Sequence, residues 1–188
     1  MKSTMPVRGR AVMMTALIAV LLGLILAATA SAQDGAPTGG FSSAPPPPPE
    51  PTAEIAMAPD GRTAVAPAGA PEAVVKAVAA ANRITRKPYK WGGGHGRWRD
   101  SGYDCSGAVS YVLHKAGLLA ASRDSTGFMS YGQRKRGEWI TIYANGGHAY
   151  MEIAGLRFDT SGAGEDGPRW RLEKRSARGF VKRHPAGL

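Results

Sequence analysis

The chain has 188 residues, including 25 Gly, 14 Pro and one Cys, and a formal net charge of +10 at neutral pH. One Cys excludes a disulfide scaffold, and one Cys with four scattered His, lacking ligand spacing, argues against a metal centre or other cofactor site. No nucleic-acid reader motif accompanies the basic balance, which leaves anionic polymers or membrane surfaces as partners.

Residues 1–32 read as an export signal. Lys2, Arg8 and Arg10 precede an apolar run from Ala11 to Ala28, and Ala30-Ser31-Ala32 fits a small-x-small cleavage site. The run is also nearly long enough to span a bilayer, so an uncleaved membrane anchor is the alternative. Either way the remainder is expected outside the cytoplasm, secreted or associated with the wall or membrane.

Residues 33–72 hold 10 of the 14 prolines, with Gly, Ala and Ser filling most of the rest. Such a composition offers too little apolar surface for a core and predicts a disordered, semi-rigid linker. Residues 73–188 remain for folding, enough for one small core and expected to be monomeric. They carry 20 Lys and Arg against 9 Asp and Glu, crowded at the C-terminal end from Arg169 to Arg183.

Pro71-Glu72 suits a helix start, and Val74, Val75, Val78 and Ala81 recur at helical spacing up to about Arg83. Tyr89-Lys90-Trp91-Gly92-Gly93-Gly94 is a glycine-rich loop. A second helix is predicted from Cys105 to about Ala116. Asp104 stands at its N-cap, and Gly117 follows it as the stop. Ser122 to Arg136 reads as loop or short helix. The period then changes: Trp139–Tyr143, His148–Ile153 and Leu156–Asp159 are β-rich segments parted by turns, with Trp170–Leu172 as a further edge strand. Helices first and an antiparallel sheet after make an α+β pattern.

An exported chain with one unpaired thiol needs a reason for it, and catalysis supplies one. At a helix N-terminus the free N–H groups and dipole favour a thiolate. His148 opens the second strand and is the candidate base, with Asp159 or Thr160 on the next strand to orient it. A one-residue shift of that strand exchanges its faces, so both stay open here. His95, in the glycine loop, is the rival base. His114 is more than two helical turns from Cys105, and His184 lies in the basic tail, where it is expected to be solvated.

The segments Pro88-Tyr89-Lys90-Trp91-Gly92-Gly93, Asp104-Cys105-Ser106-Gly107 and Gly147-His148-Ala149-Tyr150 together resemble the NlpC/P60 family of cell-wall cysteine peptidases, over about residues 73–165. The Ala-, Gly-, Arg- and Pro-rich composition suits an actinobacterial member. The resemblance implies a papain-like α+β fold that cleaves an amide bond in peptidoglycan stem peptides, of the D-glutamyl–diaminopimelate type. It implies Cys105 as nucleophile, His148 as base and Tyr89 with its hydroxyl near the thiol. Asp104, Ser106, Trp91, Gly93 and His95 would line the substrate cleft, and the Cys105 N–H would be an oxyanion donor. The family's third polar residue is usually His, Asn or Gln, whereas Asp159 and Thr160 stand here. Glu152 occupies a position that is usually apolar. The competing expectation is a weak or inactive domain of this kind that binds peptidoglycan and anionic wall polymers.

Overall fold

The computed structural model describes residues 55–58, 60–162 and 167–188. The predicted signal or anchor and the proline run lie outside the described residues. No helix among the described residues is long and apolar enough to cross a membrane.

Two short strands, β1 (Ala56–Met57) and β2 (Ala64–Val65), pair antiparallel at the start. Their turn is tied by Asp60, whose carboxylate accepts from the Arg62 and Thr63 N–H groups at 2.9 Å each. The Asn82 side chain bonds both the N–H and the carbonyl of Ala64, and Ala64 is buried. Residues expected to belong to the disordered linker are thus part of the fold, and the linker boundary moves towards residue 55. Composition misses this because the stretch is stabilised by long-range contacts to Asn82 and Ala154, not by a local pattern.

Helix α1 (Glu72–Ile84) begins after Pro71, with Glu72 and Lys76 paired one turn apart at 2.7 Å. It buries Val74, Ala77, Val78, Ala81 and Ile84. Helix α2 (Cys105–Lys115) is buried along most of its length. It stops at Gly117, whose φ of +77° suits glycine, while the Leu118 N–H reaches back to the Leu113 carbonyl at 2.8 Å. A single turn, α3 (Ser125–Phe128), is capped by Asp124.

Six antiparallel strands follow: β3 (Gln133–Arg134), β4 (Ile140–Ala144), β5 (Ala149–Ile153), β6 (Leu156–Asp159), β7 (Arg169–Arg171) and β8 (Val181–His184). Their spatial order is β3-β8-β4-β5-β6-β7. Mixed helices on an antiparallel sheet make the fold α+β, as the sequence pattern predicts. The tail departs from expectation, because β8 inserts between β3 and β4 and pairs Ile142 with Arg183 and Gln133 with His184. His184 is accordingly half-buried, with Nδ1 at 2.9 Å from the Pro185 carbonyl.

Strand alternation sorts the sheet's two faces. Ile140, Ile142, Met151, Ile153 and Phe158 join α1 and α2 in the apolar core. Thr141, Tyr143, Tyr150, Glu152, Arg157 and Asp159 occupy the opposite face. Tyr143 and Tyr150 stack there with ring centroids 4.6 Å apart, and Phe180 packs edge-on against Tyr150 at 5.2 Å. The described residues fall in one compact unit within residues 46–188.

Candidate active site

Cys105 is the first residue of α2. Asp104 caps the helix by accepting the Gly107 N–H at 2.7 Å. The same carboxylate accepts the Gly92 N–H at 3.0 Å and the Ser106 hydroxyl at 3.2 Å, and it pairs with His95 Nε2 at 3.0 Å. One side chain therefore fixes both the helix end and the glycine loop. Gly93 and Gly107 touch closely, so that a Cβ on Gly107 would overlap the Gly93 carbonyl oxygen. This close approach is the physical need for glycine in both segments.

The pairing of β5 with β6 sets Met151 opposite Phe158. Continuing that register brings Asp159 across from Tyr150, and His148, just before β5, onto the same face as Asp159. His148 Nε2 lies 2.9 Å from Asp159 Oδ1. The other ring nitrogen, Nδ1, is then the one available to the thiol. The His148 ring and the Ala149 N–H are the neighbours that act on the Cys105 thiol.

The electrostatics follow from these contacts. Burial raises the Cys105 pKa, but the hydrogen bonds to His148 and Ala149 and the nearby imidazolium outweigh it, and the thiol sits below its ordinary value of 9.0. Burial lowers the His148 pKa, yet its bonds to Asp159 and Cys105 prevail and raise it to about 9. Burial likewise raises Asp159, and the bonds to His148 and the Ser161 N–H, with the Arg175 charge, bring it below the ordinary carboxylate value. The three shifts favour one state, a thiolate beside an imidazolium beside a carboxylate.

Sequence reasoning missed Arg175 and Ser161. Arg175 Nη1 lies 3.0 Å from Asp159 Oδ2 and also donates to Ser161 Oγ. Its guanidinium sits over the Tyr150 and Phe180 rings at 5.4 and 5.3 Å. The Ser161 N–H donates to Asp159 Oδ1 at 2.9 Å. Arg157 adds a second guanidinium 3.7 Å from Asp159. Arg175 lies on an irregular segment inside a run of basic residues, and no local motif marks it.

The remaining expected site residues separate into two groups. Tyr89 is near the thiol: its hydroxyl pKa is raised by burial and by the charges of Cys105 and Asp104. Trp91 is 87% exposed on the same loop. Asp104, Ser106, Gly93 and His95 form the scaffold beneath the thiol, with the Asp104 carboxylate already engaged by internal donors. His95 faces Asp104 and Ser106, and it is His148 that lowers the thiol pKa. Thr160 is buried and gives its carbonyl to the Gly167 N–H, while the bond to His148 comes from Asp159. Glu152 is polar because it faces away from the core, where it accepts from Tyr143 and Arg136 at 2.8 Å each. Among the described residues no group of three or more His, Cys, Asp or Glu side chains is placed to hold a metal ion.

No protein-family model matches the chain, and no curated protein is significantly similar to it.

Proposed function

We propose that this chain is an exported cysteine hydrolase of peptidoglycan, papain-like in fold and related to the NlpC/P60 peptidases, cutting a D-glutamyl–diaminopimelate type of amide bond in stem peptides. The observation that carries it is the arrangement of Cys105 at a helix N-terminus, with His148 between the thiol and the buried Asp159 carboxylate.

In this mechanism the Cys105 thiolate attacks the scissile carbonyl carbon, and the carbonyl electron pair moves onto oxygen. The N–H groups at the start of α2, including that of Cys105, face the developing oxyanion. Imidazolium His148 gives its Nδ1 proton to the leaving amine as the C–N bond breaks, leaving a thioester on Cys105. Neutral His148 then takes a proton from water as the water oxygen attacks the thioester. Collapse of that intermediate releases the carboxylate product and the thiolate, with His148 again protonated. Asp159 holds the Nε2–H throughout, so the ring keeps one tautomer and one orientation. Tyr89, near the thiol, and exposed Trp91 on the same loop offer aromatic surface to the substrate flank.

The test is incubation of the full chain, wild type and Cys105→Ala, with purified peptidoglycan, reading released fragments by mass spectrometry. New fragments from wild type alone are expected, and their masses identify the bond. Absence of fragments from both, with both proteins still pelleting with the wall, sinks the hydrolase and leaves a wall-binding module.

A further inference from the structure

The end of α1 and the end of α2 border a cavity of about 340 Å³ that no step of the thiol chemistry uses. Arg83, Lys87, Arg99 and Lys115 line it, with the buried rings of Tyr103 and Tyr111 on its inner side. Arg83 and Lys115 stand in the last turns of their helices, where the carbonyl ends favour cations. Lys87 and Arg99 lie outside the helices and have no such reason to be there.

None of these four cations has a carboxylate partner among the described residues. The one acid in the lining, Asp100, is held by Lys90 Nζ at 2.7 Å and by the Gly94 N–H at 3.3 Å. Four like charges gathered on one cavity repel one another, and an anion seated between them removes that cost. Two guanidinium forks and two ammonium groups match the oxygens of phosphate.

We propose that this cavity binds phosphate groups, and that its occupant is a phosphodiester-linked polyanion. Four cations line about 340 Å³, more positive charge than one phosphate of about −1.5 to −2 neutralises, so the occupant carries several linked phosphates. The site stands on its own geometry; only the choice of an envelope polymer rests on the proposed function.

The experiment titrates the full chain at physiological salt with poly(glycerol phosphate), inorganic phosphate and duplex DNA of matched charge. Arg83→Gln/Arg99→Gln is expected to weaken polymer binding by about tenfold or more. A Lys174→Gln/Arg178→Gln control, which removes the same charge elsewhere, is expected to stay within about twofold. Arg83→Lys/Arg99→Lys, which keeps the charge but loses the forks, should bind more tightly than the Gln pair and less tightly than wild type, and guards against misfolding of the Gln pair. Equal losses in the two Gln pairs, or no polymer binding by wild type, overturn the site. Inorganic phosphate binding as tightly as the polymer overturns the polyanion assignment, and duplex DNA binding as tightly overturns the choice of an envelope polymer. Hydrolysis of a soluble, phosphate-free stem peptide is measured in parallel and should be unchanged in Arg83→Gln/Arg99→Gln. Lack of hydrolysis by wild type would count against the enzyme alone, and the binding result would stand.

Discussion

At Asp159 three kinds of partner meet on one buried carboxylate: a histidine, two arginines and a serine. An Asp159→Asn change keeps the shape but removes the charge that holds the His148 proton. The His148 pKa should then fall from about 9 towards its ordinary 6.5, and the thiol should rise towards its ordinary 9.0. Iodoacetamide alkylation of Cys105 below pH 9 should be slower in this variant than in wild type, and the proposed hydrolysis should drop by roughly 10²–10⁴-fold. An alkylation profile identical to wild type would deny Asp159 its role. Arg175→Met leaves the thiol, base and carboxylate in place but takes away a 3.0 Å ion pair. We expect a cost of about 1–3 kcal/mol in stability, from a buried charge left short of one donor. A pH–rate profile shifted towards that of Asp159→Asn would separate positioning from mere support.

For the elements, the start of α2 is the decisive place. Gly107 lies against the Gly93 carbonyl, so a methyl group there must displace the glycine loop or the helix. Gly107→Ala should cost about 2–3 kcal/mol and disturb the thiol. Gly117→Ala, at φ +77° with open space around it, should cost only about 1–2 kcal/mol and leave alkylation untouched. Thermal melts of the two variants test that order. Both helices, the N-cap Asp104 and the stop at Gly117 were legible, since each is signalled within a few residues. The β1–β2 hairpin was not, because its stability comes from Asn82 and Ala154 elsewhere in the chain.

Among the described residues the six-stranded sheet is joined up by its last strand. β8 lies between β3 and β4, and Arg183 Nε donates to the Met129 carbonyl at 2.6 Å. Ending the chain at Phe180 would bare the β4 edge and the backbone packed on Gly132 and Gly137. That truncation should aggregate or fail to melt cooperatively, whereas removal of an idle tail would change nothing. The titration of the site also reaches global stability. His148 binds its proton more tightly folded than unfolded, so its contribution is complete below pH 6.5 and lost as pH rises through about 9. Cys105 is shifted the other way, and its contribution is present above its ordinary 9.0 and lost as pH falls through the lowered folded value. The two opposed slopes offset each other in wild type. In Cys105→Ala the thiol's share of the His148 shift goes with it, and the rise that Asp159 still causes makes stability decline above pH 6.5 over a narrower range than in a His148 titrating near 9; denaturant melts would show it.

The sequence by itself determined that α1 and α2 precede the main antiparallel sheet, the capped start of α2 with its lone cysteine, and His148 just before a strand. These are local signals: hydrophobic period, cap chemistry and turn residues act within a few positions. Tertiary structure alone decided between Asp159 and Thr160, because that choice depends on the register of β6 against β5. It also brought Arg175 onto Asp159 and turned a basic tail into an interior strand. Both are contacts between residues far apart in the chain, set by which strands pair and which face each side chain takes.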